Sequence, residues 1–326
     1  MISQEDIFQI GSKKEFEKIT LKVFRHQYDN NFVYQQFCNF LKKNKNNVKS
    51  LTEIPFLPIQ FFTSHEVLSA DEPIQQTFTS SGTTGMQTSK HLVTDVSWYE
   101  MSYRLGFSEF YGNIEDYCVL ALLPSYLERE GSSLIYMVED LIQSSNHEDS
   151  GFYLNNYDEL ISKLIELDNS GQNVILIGVT YALLDLIEKQ KFQLKNTIIM
   201  ETGGMKGKRK EMIREELHSL LCNGFGVSKI HSEYGMTELL SQAYSLGDGV
   251  FECPQWMQVL IRDTEDALTY VSEGKTGGIN VIDLANINSC SFIATQDLGK
   301  KHPNHSFEVL GRFDNSDIRG CNLMVV

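Results

Sequence analysis

Three short apolar runs separated by amphipathic segments limit the folds open to this chain more than any other feature. The runs YCVLALL, NVILIGV and TIIM lie at 117–123, 173–179 and 197–200, have strand length and show no polar face. Strands that are apolar on both faces and alternate with helices predict a parallel or mixed sheet covered by helices. The fold class predicted for the body of the chain is therefore α/β.

The segments between and after these runs carry apolar residues at helical spacing. In SSLIYMVEDLIQSS these residues are Leu134, Met137, Val138, Leu141 and Ile142. ALLDLIEKQ shows a similar pattern, and KRKEMIREELHSLL offers Ile213, Leu217 and Leu220 as a buried stripe.

The two ends of the chain differ from this body. About the first 50 residues have a helical pattern, and IPFLPIQFF after them contains Pro55 and Pro58, which forbid a regular helix and predict an extended segment on an apolar surface. Past residue 245, short extended segments are separated by Gly and Asp. We therefore predict a helix-containing body over 1–245, a small β-rich subdomain packed on it over 246–312, and a tail over 313–326.

Composition excludes several classes of function. The 326 residues have a formal net charge of -15, which argues against a general nucleic-acid binder, because that mode of binding needs a basic surface. The six cysteines form no CxxC pair, so neither a zinc site nor a disulfide framework is indicated and reduced thiols in a cytoplasmic protein are expected. No export signal and no apolar stretch of about 18 residues is visible, so no membrane span is predicted.

A run of small and hydroxyl-bearing residues, TSSGTTG at 79–85, predicts an anion-binding loop. Its glycines let successive N–H groups turn toward one phosphate, and its hydroxyls add further donors. A plain surface loop is the alternative. The run is not a Walker loop, GGMKGK at 203–208 fails the Walker spacing, and neither G-x-G-x-x-G after a strand nor G-x-S-x-G occurs.

Four separated segments together resemble the superfamily of adenylate-forming enzymes, which join a carboxylate to AMP. They are TSSGTTG at 79–85, TGGMKG at 202–207, YGMTE at 234–238, and QDLG at 296–299 with GRFDNSDIRG at 311–320. Their order along the chain matches that superfamily, and YGMTE directly follows the apparent strand end at KIHS, where ligands of α/β sheets bind. The resemblance implies the large N-terminal domain of these enzymes with a small β-rich subdomain.

The same resemblance implies ATP and Mg²⁺ as cofactors and assigns roles to individual residues. The phosphate grip would be Ser80, Ser81, Gly82, Thr83, Thr84 and Gly85. Gly203 and Gly204 would lie against the adenine and Tyr234 would stack on it, with Gly235 beside it in the ATP-binding set. Thr237 would contact the α-phosphate, and Glu238 would help to hold Mg²⁺. Asp297 would accept hydrogen bonds from the ribose, with Arg312 nearby.

A narrower resemblance covers nearly the whole chain. IPFLPIQFF, LLPSYLEREGSS, HSEYGMTELLSQAYS and LGRFDNSDIRGCNL look like the acyl-protein synthetase family of the bacterial fatty acid reductase complex. That family activates a fatty acid as acyl-AMP and moves the acyl group to its own cysteine, from which a partner reductase takes it. The resemblance makes Cys321 the acyl acceptor, with His231 and Arg319 as candidates to assist its ionisation.

Several alternatives stay open at this stage. Cys321 could be a buried core cysteine, Tyr234 could be core, His231 could cap a strand or line the acyl pocket, and the displaced position of Lys90 leaves its role undecided. The chain stops at Val326, so the mobile C-terminal domain of most adenylate-forming enzymes is expected to be absent. A coenzyme A ligase, an acyltransferase to a carrier protein, and a non-catalytic nucleotide- or acyl-binding subunit are the competing functions.

Overall fold

The computed structural model describes residues 2–80, 88–124, 131–154, 156–203, 209 and 212–313. The described helices are α1 to α9, at Gln4–Phe8, Lys13–Asn30, Phe32–Phe40, Phe61–Ser64, Ser97–Tyr111, Ser133–Ser144, Tyr157–Ser170, Thr180–Lys189 and Arg214–Phe225. The described strands are β1 to β14, at Leu57–Pro58, Gln76–Thr79, Lys90–Val93, Cys118–Leu122, Gly151–Tyr153, Val174–Val179, Thr197–Thr202, His231–Tyr234, Ala243–Ser245, Val250–Phe251, Met257–Arg262, Thr276–Asp283, Phe292–Lys301 and Phe307–Arg312. None of the described helices is long and apolar enough to cross a membrane.

The first sheet has the order β5-β4-β6-β7-β8-β9. Its pairs are parallel from β5 to β8, and β9 closes the edge antiparallel to β8. Helices α5 and α6 pack on one face, where Phe107, Met137 and Ile177 line the same cavity. Helix α8 packs on the other face, where a Cβ on Gly178 of β6 would overlap Leu183. The predicted helix-covered α/β sheet is confirmed.

The second sheet is mainly antiparallel, with the order β10-β14-β13-β12-β11. Strand β1 from the N-terminal part adds to it in parallel beside β13. Buried Gln27 of α2 also ties the N-terminal helices to this sheet, because its amide donates to the carbonyls of Asn286 and Ile287 at 3.0 and 2.9 Å. The β-rich character of the C-terminal part is confirmed, and residues before 246 also contribute to this sheet. The exact boundaries of the subdomains stay a prediction.

Three local predictions need correction. Helix α9 begins only at Arg214, and its buried side carries Leu217, Leu221 and Phe225, whereas Ile213 and Leu220 are 68% and 41% exposed. The buried positions follow an i, i+4, i+8 spacing, which the predicted stripe missed. The extended segment at 54–62 includes β1, but α4 begins inside it at Phe61, because the prolines exclude helix only upstream. The strand at KIHS runs two residues further, to Tyr234.

Candidate functional site

A hairpin of β2 and β3 brackets the serine and threonine run. The two strands pair antiparallel from Gln76 with Val93 to Thr79 with Lys90. Beyond the last pair, the Ser80 N–H donates to the Ser89 carbonyl at 3.2 Å, and the Ser89 N–H donates to Ser80 Oγ at 2.9 Å. Ser80 is thus a closing residue at the base of the loop. Ser81, Gly82, Thr83, Thr84 and Gly85 lie outside the described residues.

Glu238 lies next to this hairpin although it is far away in sequence. The Ser89 hydroxyl donates to Oε1 of Glu238 across 149 residues of chain. The side chain is buried, and burial raises its pKa, which Ser89 and Arg312 partly oppose by favouring the charged form. Mg²⁺ takes oxygen ligands and is held by one or two carboxylates together with substrate phosphates, so this carboxylate fits the predicted metal.

Tyr234, Asp297 and Arg312 meet where the two sheets approach each other. The Tyr234 hydroxyl donates to Asp297 Oδ2 at 2.8 Å, and Arg312 Nε lies 3.3 Å from Oδ1 of the same carboxylate. Arg312 pairs with Asp297 in the β13/β14 register and is mostly exposed. The Tyr234 ring packs edge-on against Phe251 and Phe307. These three predicted nucleotide-binding residues therefore form one cluster, and their roles toward adenine and ribose stay predictions.

Gly203, Gly235 and Thr237 lie at the carboxyl ends of β7 and β8. Gly203 follows β7 with φ +70, a left-handed conformation that favours glycine, and its carbonyl accepts from Thr180 Oγ1 at 2.8 Å. A Cβ on Gly235 would overlap the Glu233 carboxyl group, so a larger residue there would displace this side chain. The Thr237 carbonyl contacts His91 at 2.8 Å. Gly204 lies outside the described residues.

His231 lies at the opposite end of β8 from Tyr234. It opens β8 three positions before Tyr234, about 10 Å away along an extended strand. Its Nδ1 lies 3.3 Å from the Tyr111 hydroxyl, and burial lowers its pKa to about 4, so the ring is neutral near neutral pH. Lys90 is exposed at the start of β3. Cys321 and Arg319 lie outside the described residues.

Glu233 is a site residue that the sequence reasoning missed. It accepts a 2.6 Å hydrogen bond from Thr202 Oγ1, on the neighbouring strand β7. Burial raises its pKa to about 7, with a smaller contribution from the negative charge of Glu201. The sequence feature that could have pointed to Glu233 is its position directly before YGMTE. Four further residues were missed, namely Ser89, His91, Asp283 and Asn286.

A small apolar cavity lies on the same sheet face as Glu233. It is enclosed by the first sheet, α5 and α6, and its lining includes Phe107, Met137, Val138, Ile175, Ile177 and Met200. Tyr244, which pairs with Glu233 in the β8/β9 register, also lines it. This face of the sheet is therefore apolar around the cavity and carries the carboxyl group of Glu233 nearer the C-terminal ends of the parallel strands.

Residues 8–326 match the family model described as "Acyl-protein synthetase, LuxE". The chain belongs to this family. A long-chain-fatty-acid–luciferin-component ligase of Vibrio harveyi is 22% identical over 355 residues, covering 97% of this chain and 89% of that protein. A ligase of the same name from Photorhabdus luminescens is 33% identical over 72 residues, covering 22% of this chain and 61% of that protein. The predicted family is confirmed, and so is the predicted class of acid ligase.

Solved structures share the fold at low sequence identity. A 2-hydroxyisobutyryl-CoA ligase in complex with 2-HIB-AMP superposes with a TM-score of 0.67 at 12% identity, over 93% of this chain and 68% of that chain. ATP-bound MatB from Rhodopseudomonas palustris gives a TM-score of 0.54 at 17% identity, over 74% of this chain. The match spans about half of MatB, 49% of its length. The predicted fold of the adenylate-forming enzymes is confirmed for this member of the acyl-protein synthetase family.

The raised pKa of Glu233 predicts how stability depends on pH. The folded pKa of about 7 exceeds the usual carboxyl value, so the protonated form stabilises the fold and this contribution is lost as pH rises toward 7. We expect Glu233→Gln to gain stability relative to the parent chain between pH 4.5 and 7, by about 2 kcal/mol. Urea unfolding at several pH values measures this difference. A difference that is constant over this range would contradict the assignment.

Proposed function

We propose that this chain activates a long-chain fatty acid with ATP and Mg²⁺ as acyl-AMP and then transfers the acyl group to Cys321. The observation that carries the proposal is the contact of Ser89 with Glu238, which joins the base of the serine and threonine loop to the YGMTE segment. Family membership and the name of the Vibrio harveyi relative support a fatty acid as the substrate.

The first step is the attack of a carboxylate oxygen on the α-phosphorus of ATP, with pyrophosphate as the leaving group. ATP supplies the activated phosphoryl group, and Mg²⁺ supplies positive charge against the phosphate oxygens. Glu238 would bind the metal, and Thr237 together with the loop at 80–85 would orient the phosphates. Tyr234, Asp297 and Arg312 would hold the nucleoside, and the Tyr234 hydroxyl fixes the orientation of the Asp297 carboxylate at 2.8 Å.

The acyl chain would lie in the apolar layer between the first sheet, α5 and α6. The cavity there has a volume of about 10 Å³, room for about one water molecule, so its lining side chains would have to move apart to admit a long chain. This position places the carboxylate of the acid at the carboxyl edge of the sheet, near Glu233 and Thr202 and close to the nucleotide loops. Because burial raises the pKa of Glu233 to about 7, about half of the Glu233 side chains are uncharged at pH 7, which weakens repulsion of the substrate carboxylate. Burial of hydrocarbon is worth about 0.8 kcal/mol per methylene, which favours long chains in such a site.

The second step would form a thioester. The thiolate of Cys321 attacks the acyl carbonyl carbon, the bond to the phosphate oxygen breaks, and AMP leaves. Positive charge from Arg319 or a proton acceptor would favour the thiolate, and His231 stays a candidate for this second role. We further propose that an acyl reductase or an acyl-transferase protein takes the acyl group from Cys321 and that the reaction takes place in the cytoplasm.

The adenylation step predicts fatty-acid-dependent exchange of pyrophosphate into ATP. Glu238→Gln keeps an acceptor for the Ser89 hydroxyl but removes the charge, so we expect exchange to fall by about 100-fold or more at saturating Mg²⁺. Exchange with radioactive pyrophosphate over a panel of acid lengths measures this. A folded parent chain without exchange for any acid would refute the proposal, and free acyl-CoA as the product would favour a coenzyme A ligase.

If the acyl chain occupies the cavity, a bulkier lining side chain should reduce the length of the fatty acids that the protein accepts. Ile175 lines the cavity two positions further from the carboxyl edge of β6 than Ile177 does. We expect Ile175→Phe to reduce exchange with long acids by about 10-fold or more while short acids are still used. Leu176→Phe is the matched control, because it overpacks the opposite face of the same strand. Equal losses for all acid lengths would place the acyl chain elsewhere.

Acyl transfer to Cys321 predicts a covalent label. Incubation with ATP, Mg²⁺ and radioactive acid should produce a hydroxylamine-sensitive bond that Cys321→Ser eliminates, while pyrophosphate exchange continues. Cys222→Ser is the control, because Cys222 is the partly exposed cysteine of α9 and should leave the label intact. Label that persists in Cys321→Ser would exclude this residue as the acceptor.

A further inference from the structure

Two buried side chains hold the backbone of the YGMTE segment from outside it. His91 Nδ1 lies 2.8 Å from the Thr237 carbonyl oxygen. Asn286 Nδ2 donates to the Glu238 carbonyl at 2.8 Å, and its Oδ1 lies 3.0 Å from His91 Nε2. His91 comes from β3 of the hairpin, and Asn286 comes from the turn after β12. Two different parts of the chain therefore contact two consecutive carbonyls.

Burial determines the protonation state of His91 and therefore the hydrogen bonds that His91 can form. His91 and Asn286 are both fully buried, and burial lowers the pKa of His91 to about 4, so the ring is neutral near neutral pH. Both ring nitrogens face oxygens that can only accept, the Thr237 carbonyl and Asn286 Oδ1, and the neutral ring has a single N–H. That N–H bonds to the Thr237 carbonyl when it sits on Nδ1 and to Asn286 when it sits on Nε2. The Phe62 ring packs edge-on against His91 at 5.7 Å and restricts its movement.

The following residues are held in the same way. Asp283, the last residue of β12, accepts from the Leu240 and Ser241 N–H groups at 2.7 and 3.0 Å. The backbone on the C-terminal side of Glu238 is thus fixed as well. Residues 238–241 are buried, so water cannot readily replace these partners and a lost bond leaves a buried polar group unsatisfied.

We propose that His91 and Asn286 are positioning residues for Thr237 and Glu238. The proposal rests on the proposed function, because it takes Thr237 and Glu238 as the contacts to the α-phosphate and Mg²⁺. The two side chains fix the orientation of the peptide planes from which these contacts project. A small rotation there moves the Glu238 carboxylate away from Ser89, and displacements of about 1 Å caused by distant substitutions can cost about 100-fold in rate.

The test is the dependence of pyrophosphate exchange on Mg²⁺. His91→Leu removes the donor, whereas His91→Asn can place an amide N–H near the position of Nδ1. We expect His91→Leu to lower kcat of exchange by about 10- to 100-fold and to raise the Mg²⁺ concentration at half-saturation severalfold, with little change in KM for the acid. We expect His91→Asn to have a kcat and an Mg²⁺ concentration at half-saturation close to those of the parent chain. Asn286→Leu should show the same changes as His91→Leu.

Asn31→Leu is the matched control for Asn286→Leu. The Asn31 side chain is also a buried amide that donates to a backbone carbonyl, that of Ser289 at 3.0 Å, but it does not contact the YGMTE segment. We expect it to lower Tm without changing the Mg²⁺ requirement. If His91→Leu and Asn286→Leu behave like Asn31→Leu, the positioning role is refuted. If His91→Leu does not fold, the comparison of Asn286→Leu with Asn31→Leu decides.

Failure of the proposed function gives a different result. In that case the parent chain shows no exchange with any acid, and the positioning role is judged on calorimetric binding of ATP with and without Mg²⁺. Mg²⁺-dependent binding that weakens in Asn286→Leu but not in Asn31→Leu would support the role. Binding that is absent in the parent chain, or unchanged in folded Asn286→Leu, would refute it.

Discussion

The arrangement of this site depends on the hydrogen bonds that the buried carboxylate of Asp283 accepts. This carboxylate accepts from the N–H groups of Leu240 and Ser241, from the Ser241 hydroxyl at 2.6 Å, and from the Ala285 N–H at 3.2 Å. Burial raises its pKa to about 6, so it is ionised at neutral pH and the surrounding donors stabilise the charge. Because Asp283 ends a strand of the second sheet and the N–H groups follow the last parallel strand of the first, the carboxylate joins the two sheets.

The residues of the separate motifs form one cluster because this contact holds the two sheets together. Tyr234 belongs to the first sheet, whereas its partner Asp297 and the neighbour Arg312 belong to the second. Glu238 reaches a third unit, the β2/β3 hairpin, through Ser89. Carboxyl edges of parallel strands are the usual place for ligands in α/β folds, and here the second sheet and the hairpin supply the remaining side chains. A nucleotide bound there would contact all three units.

Local patterns in the sequence predicted the strands and helices that form the first sheet, including β4, β6, β7, α6 and α8. Local patterns failed where contacts between distant parts of the chain determine the structure. The buried side of α9 was misassigned because its start at Arg214 was not recognised. His91 was missed because its partners Thr237 and Asn286 lie 146 and 195 residues away, and no periodicity reports such separations. Motif order brought Tyr234, Asp297 and Arg312 together correctly, since it carries long-range information that local propensity does not.

The negative charge around the site must be offset by positive charge, which hydrogen bonds alone do not supply. The chain has a net charge of -15, and the site places the carboxyl groups of Glu238 and Asp297 where a nucleotide is proposed to bind. Arg312 is already shared with Asp297, so added positive charge is needed to offset the phosphates. A divalent cation at Glu238 would provide it, but the raised pKa of this group makes cation and proton compete for the same oxygens. Cation affinity should therefore weaken as the solution becomes more acidic, and fixing the Glu238 backbone limits the entropy lost when the cation binds.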